Sequence, residues 1–392
     1  MSSLLKFRSL LAAAVIVGTG WPAAAQDPNQ PVSPPEAQRE ALAADEDVIA
    51  FWTAERMQNA VTLDMAREAT PTPFAFGPAL APMALGEPIV ATSGLPGQTP
   101  EELTGGPEVD RLLGEARALG AIDPLLGSAP FTFSRYRLFP ETPRDADIMY
   151  RTFPYRLTGK LFFVIPGEGT FVCSGSSVNS ANRSVVWTAG HCVVSPTESG
   201  PLFHTNLLFV PGYRGQPSCA LTPFGCWTAK TSFGLVGWAL FGLFEYDHGA
   251  MVANLGGNGA PRKVGDRIGF LGFTANIAQD QHWHVHGYPQ AAPFDGVHHE
   301  ICTAQLAVTD QPTGIPFVDP ETSGIGCDQT GGTSGGPWVI NFSGLGGLTN
   351  LLNGNNSYRY TGGPPQTLRL FGPYFGTGAV NLRNAAQAVP VP

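Results

Sequence analysis

A glycine-dense stretch, Gly326-Cys327-Asp328-Gln329-Thr330-Gly331-Gly332-Thr333-Ser334-Gly335-Gly336-Pro337-Trp338, carries one hydroxyl at its centre that could do chemistry. Glycines on both sides of Ser334 allow positive φ and leave no side chain between a substrate and the hydroxyl. Ser334 is therefore a candidate nucleophile. A serine hydroxyl reacts near neutral pH only when a base lies within hydrogen-bond reach and a third group orients that base. Gly332 to Gly336 also fits the G-x-S-x-G turn of α/β-hydrolases, in which the histidine follows the serine along the chain. No histidine follows Ser334, so that arrangement is excluded. The base must lie upstream. Thr188-Ala189-Gly190-His191-Cys192 directly follows an apolar run, Val185-Val186-Trp187, that reads as a buried strand with His191 leaving its end.

T-A-G-H-C at 188–192 and G-T-S-G-G-P at 332–337, in that order, resemble the chymotrypsin-like serine proteases over roughly residues 155–385. The stretch from Cys327 to Gly335 is similar to the C-D-x-x-G-G-x-S-G of the glutamyl endopeptidase branch, as is Val285-His286-Gly287-Tyr288-Pro289. The resemblance implies an all-β fold of two six-stranded antiparallel β-barrels with the site in the cleft between them. It implies Asp247 as the orienting acid, since Tyr246-Asp247-His248-Gly249-Ala250 is similar to the family's Y-D-x-G-A and lies between His191 and Ser334. Asp266, Asp280 and Asp295 stand in polar turns and read as solvated. By the same resemblance the backbone N–H groups of Gly332 and Ser334 form the oxyanion hole, and substrate main chain adds as a strand near Asn356-Ser357-Tyr358. Asp328 precedes the serine where an acid could hold an Arg or Lys side chain. The histidine that glutamyl endopeptidases place after the serine is missing, which argues against a glutamate preference and leaves the preferred residue open.

The six cysteines, an even number, read as three disulfides. The resemblance pairs Cys173 with Cys192, and closeness in the chain pairs Cys219 with Cys226 and Cys302 with Cys327. The spacings match no zinc signature. His282, His284 and His286 alternate along one strand face, with His298 and His299 following, and read as a solvent face rather than a metal site. No metal or cofactor is expected.

Composition agrees with many short strands: 48 Gly, 36 Pro and 14% charged residues in 392. Net charge is −9 with no basic tract, so neither nucleic acid nor an anionic membrane is an expected partner. Met1 to Ala25 has a cationic start, a short apolar core and an Ala23-Ala24-Ala25 end, the order of a secretory signal. A secreted or periplasmic monomer is expected. Residues 26–150 read as a pro-segment: a capping-box start at Ser33-Pro34-Pro35-Glu36, one or two helices through Trp52, a flexible linker from Ala69 to Pro100, and a second helical stretch from Pro107 to Leu119. Its removal would fall between Arg135 and Arg156, and the protease domain is 151–392. Together these readings predict a serine endopeptidase acting on proteins or peptides through an acyl-enzyme. The alternatives are a non-catalytic protease-like binding protein or adhesin, and an esterase on the same frame.

Overall fold

Short apolar runs between glycines and prolines become strands wherever both faces of the run find cover. The computed structural model describes residues 27–36, 38, 45–68, 86–103, 131–138, 150–312, 321–361 and 368–392. The signal at 1–25, the 107–119 stretch and Arg144 lie outside the described residues.

Six strands form a closed barrel: β1 (Thr158–Ile165), β2 (Gly169–Ser177), β3 (Val185–Thr188), β4 (Thr205–Pro211), β5 (Trp227–Leu235) and β6 (Gly249–Ala253). The order is β5-β4-β1-β2-β3-β6, and pairing of β5 with β6 closes the ring. The period-2 rule sorts the side chains of β1: Leu161, Phe163 and Ile165 enter one core, while Phe162 joins a second, outer cluster. That outer cluster is completed from the N-terminal region by Val48, Trp52 and Met57. The Trp52 ring lies 5.4 Å from Phe162 at a tilt of 53° and donates its indole N–H to the Asn206 carbonyl at 2.7 Å.

The second sheet contains β7 (Gly272–Ala275), β8 (His282–Gly287), β9 (Glu300–Asp310), β10 (Thr322–Gly326), β11 (Pro337–Ile340), β12 (Leu351–Asn355) and β14 (Arg369–Gly372), with β13 (Arg359–Thr361) lying apart. Its order is β14-β10-β9-β8-β11-β12-β7. The expectation of two closed six-stranded barrels is met by the first; the second is an open sheet in which a single bridge links Tyr358, just after β12, to Phe371 in β14. An 11-residue helix, Thr377–Gln387, packs Leu382 and Ala386 into the first core. The sequence reading did not foresee it. All three expected disulfides are present: Cys173–Cys192, Cys219–Cys226 and Cys302–Cys327.

The N-terminal region contributes two short helices, Asp45–Phe51 and Ala54–Asn59, the latter capped by Thr53 accepting from the Arg56 N–H at 3.3 Å. Residues 37 and 39–44 of the expected first helix lie outside the described residues. The linker reading needs correction. Residues 69–85 are outside the described residues, but Ile89–Ala91 is a strand paired with β7, and Val90 and Ala91 are fully buried. Its polar, Pro- and Gly-rich flanks hid a three-residue strand paired on both sides, with β7 and with Glu102–Leu103. The expected cleavage zone is also structured in part, since Ser134–Arg137 pairs with β9.

The histidine face is corrected too. His282 is exposed, but His284 stacks on Phe342 at 4.5 Å, and His286 is buried with its Nδ1 3.0 Å from Nε2 of His299. The chain leaving β11 folds Phe342 back over the face that would otherwise meet water. Burial holds His204 and His299 down to about 3 and His248 to about 4. An unfolded histidine takes its proton near about 6.5, so between that value and the lowered ones the unfolded chain binds more protons. Stability is therefore full above roughly pH 6.5 and falls below it, by about 1.4 kcal/mol per pH unit for each such histidine. The denaturant midpoint is expected to stay level from pH 7.5 to about 6.5 and to drop from there to 4.5; a flat midpoint across the lower range would contradict the buried neutral histidines.

Candidate active site

His191 sits in a single turn of 3-10 helix, Gly190–Cys192, at the exit of β3, tied back to β2 by the Cys173–Cys192 disulfide. The turn has no room for side chains on its inner side. A Cβ at Gly190 would lie 2.8 Å from the Trp238 ring and 3.0 Å from Asp247 Oδ1. Asp247 follows another 3-10 turn and is wholly buried just before β6. Its Oδ2 accepts from His191 Nδ1 at 2.7 Å, and its Oδ1 accepts from the His191 backbone N–H at 2.8 Å. Ser357 Oγ adds a donor to Oδ2 at 2.5 Å. Burial pushes the Asp247 carboxyl up, but the His191 charge and these hydrogen bonds outweigh it and leave the group below its ordinary value.

With an anionic acceptor at Nδ1, the proton of a neutral His191 stays on that nitrogen and Nε2 is left with a free lone pair. Nε2 is buried and makes no hydrogen bond among the described residues. Ser334 and His191 are thus not hydrogen-bonded in this structure, although their loops abut. The Ser334 carbonyl accepts from the Ser174 N–H at 2.7 Å, and a Cβ at Gly335 would fall 2.0 Å from Thr188 Oγ1 and 2.7 Å from the Ala189 nitrogen. Only glycine, here at φ +77°, lets the Ser334 loop press against the histidine turn.

The backbone ahead of Ser334 is held by its carbonyls. Gly331 O accepts from the N–H groups of Gln290 (2.8 Å) and Ala291 (3.1 Å), and Gly332 O accepts from Ser174 Oγ (3.0 Å). Because a trans peptide points its N–H opposite its C=O, the Gly332 N–H is turned away from Gln290 and Ala291. Likewise Thr333 O accepts from the Gly336 N–H and Asn356 Nδ2, which turns the Ser334 N–H the other way. Neither the Gly332 nor the Ser334 N–H makes a hydrogen bond among the described residues. Gly332 has φ +99°, and a Cβ there would lie 2.8 Å from the Tyr288 carbonyl. Thr333 Oγ1 donates to Gln329 Oε1 and accepts from Asn356 Nδ2, a wholly uncharged anchor.

Of the other expected site residues, Asn356, Ser357 and Tyr358 line the pocket beside Ser334 and also brace it: Asn356 holds Thr333, Ser357 holds Asp247, and the Tyr358 hydroxyl donates to Asp310 at 2.6 Å. The backbone N–H groups of Ser357 and Tyr358 are spent on the Phe371 carbonyl. The edge that accepts an added strand lies one step later, at β13, where Ala66–Glu68 pairs with it in parallel. Asp328 does not line the pocket beside Ser334 and forms an ion pair with Arg135 at 2.8 Å. Arg135 and Arg137 also flank the buried Glu300. Asn355, which accepts from the Trp187 indole at 3.1 Å and donates to the Asp247 carbonyl at 3.1 Å, went unnoticed in the sequence. So did Asp64 and Arg359, for no local motif marks them. Two triplets with metal-like spacing, Cys173-His191-Cys192 and Cys302-Cys327-Asp328, have their sulfurs consumed by disulfides.

No family model matches the chain, and no curated protein matches it. Solved structures do. The protease Anisep from Arthrobacter nicotinovorans is 36% identical at a TM-score of 0.51, the match covering 60% of this chain and 97% of that one. A thermostable serine protease, AL20, from an extremophilic microorganism is 34% identical at a TM-score of 0.51, covering 60% of this chain and 99% of that one. Identity above a third, over almost the whole of a solved protease, goes with a closed six-stranded barrel beside a second sheet and the turns at His191 and Ser334. The chain belongs to the chymotrypsin-like serine proteases.

Proposed function

We propose that this chain is a secreted serine endopeptidase that cleaves proteins or peptides through an acyl-enzyme on Ser334. The observation that carries the reading is the pair of hydrogen bonds, 2.7 and 2.8 Å, by which Asp247 holds both the ring and the backbone of His191 beside the Ser334 loop. His191 Nε2 takes the Ser334 proton as Oγ attacks the substrate carbonyl, and Asp247 stabilises the imidazolium that forms. The Gly332 and Ser334 N–H groups receive the developing oxyanion, each worth about 3 kcal/mol of barrier. His191 then gives the proton to the leaving amine, and in the second half deprotonates the water that hydrolyses the ester. The nucleophile–base contact, open here, closes when substrate binds, as such contacts commonly tighten only in the complex. A protein kept only for binding would have no use for a buried carboxylate locked onto an imidazole.

In this reading residues 1–25 are the signal, 26–150 a pro-segment and 151–392 the protease domain, whose second sheet acts as the second barrel through the Tyr358–Phe371 bridge. The matched 60% of the chain leaves a remainder about as long as 1–150. The pro-segment works by cover. Val61–Thr62 pairs with β2 and Ala66–Glu68 with β13, so the stretch between them crosses the pocket beside Ser334 and occupies the strand edge that substrate would use.

Ser334→Ala and His191→Ala are each expected to lower casein hydrolysis by at least about 10⁴-fold, to the residue left by binding and the oxyanion hole. A Ser334→Ala protein as active as its parent would remove the mechanism. The second expectation concerns Thr333. Its neutral anchoring to Gln329 and Asn356 shapes the loop without a partner from a new N-terminal amine. Acetylating the amine of the mature protein should change kcat by less than about tenfold, 1.4 kcal/mol. A loss of about a hundredfold or more would show that the amine reaches the site.

A further inference from the structure

The pocket beside Ser334 has Gln329, Thr330 and Gly331 on one side and Ser357 and Arg359 on another, and Asp64 enters it from the N-terminal region. About 10 Å³ of free space remains, no more than one water needs. Asp64 Oδ2 accepts from Arg359 Nη2 at 2.6 Å and Oδ1 from Nε at 3.3 Å, a two-point contact between a planar cation and a carboxylate. Both side chains are mostly covered, at 17% and 22% exposure. Gly331 admits the acid: a Cβ there would stand 3.0 Å from Asp64 Cβ.

Arg359 is the charged side chain that the protease domain itself brings to this pocket among the described residues. Asp328, the acid that would favour a basic substrate, is absent from the lining and committed to Arg135. Once the 61–68 stretch leaves, the Arg359 guanidinium loses its two-point carboxylate partner and faces the opened pocket, where a substrate carboxylate can take the same place. The main chain on either side of Asp64 follows the cleft, paired with β2 before it and β13 after it. Asp64 thus reaches the pocket from main chain that lies along the cleft.

We propose that Arg359 determines specificity, selecting substrates that place an Asp or Glu side chain in the pocket beside Ser334, and that Asp64 is the chain's own occupant of that subsite. The proposal rests on the reading of Ser334 as the nucleophile. It replaces the lean away from glutamate drawn from the missing histidine, because the cation that receives the carboxylate comes from β13 instead.

The test uses the full chain as secreted and self-processed, with two readouts. A fluorophosphonate reports labelling at Ser334 regardless of side-chain preference. A peptide series carrying Glu, Asp, Gln, Asn, Leu or Lys before the scissile bond reports selectivity. The acidic peptides are expected to exceed their amide counterparts in kcat/KM by about 10- to 100-fold, the range for hydrogen bonds to charged groups. Arg359→Gln should bring that ratio close to unity, and Arg359→Lys should keep part of it. The ratio is read within one preparation, so a partly folded variant does not disturb it. Labelling at Ser334 together with a preference for Leu or Lys, or an acidic preference that survives Arg359→Gln, overturns the proposal. Should Arg359→Gln fail to fold, the parent profile and Arg359→Lys decide. Absence of both labelling and cleavage overturns the protease reading itself, and the selectivity with it.

Discussion

The buried carboxylate of Asp247 is the constraint on which the rest of the site depends. A charge removed from water costs several kcal/mol unless donors replace the lost hydration, and here three converge on it: the His191 N–H, His191 Nδ1 and Ser357 Oγ. Each donor comes from a different part of the fold or a different atom of the same turn. Satisfying Asp247 therefore joins the exit of β3, the approach to β6 and the segment after β12 at one point. Asn355 extends the join by linking the Asp247 carbonyl to the Trp187 indole in β3. The histidine ring cannot turn without breaking a bond to a charge.

The Ser334 loop is held by another principle. Its bonds are neutral and are made chiefly by carbonyl oxygens, with Gly331, Gly332 and Thr333 all accepting. Peptide planarity converts those acceptances into two N–H groups turned toward the other side. Glycine is needed at 332 and 335 because neighbouring backbone or side-chain atoms already occupy the space of a Cβ. Rigid carbonyls thus orient the donors, and no ion pair is needed at Thr333.

The N-terminal region is bound into both halves of the molecule. Pro31–Val32 extends β5, Val61–Thr62 pairs with β2, Ile89–Ala91 with β7 and Ser134–Arg137 with β9. Trp52 and Met57 complete the outer cluster on the first barrel, and Arg135 and Arg137 neutralise the buried Glu300. A region so placed both covers the cleft and shields sheet edges that would otherwise be open to pairing.

What the sequence determined alone is what short stretches encode. Glycines around Ser334, an apolar strand ending in His191 and the number of disulfides were legible, because each depends on a few consecutive residues or on an even count of thiols, while the Cys173–Cys192 pairing came from the family resemblance. Tertiary structure decided whatever depended on a partner far along the chain. Asp64 and Arg359 are 295 residues apart, and neither has a local mark that announces the other. Asp328 looked free to hold a basic side chain until Arg135 arrived on a strand from the N-terminal region. The alternation of His282, His284 and His286 gave their common face correctly but not its cover, since period 2 says which side chains point together and nothing about what packs on them. The stretch at 86–100 read as linker because strand pairing is made by backbone groups that every residue carries. Only the position of β7 turned those groups into a strand.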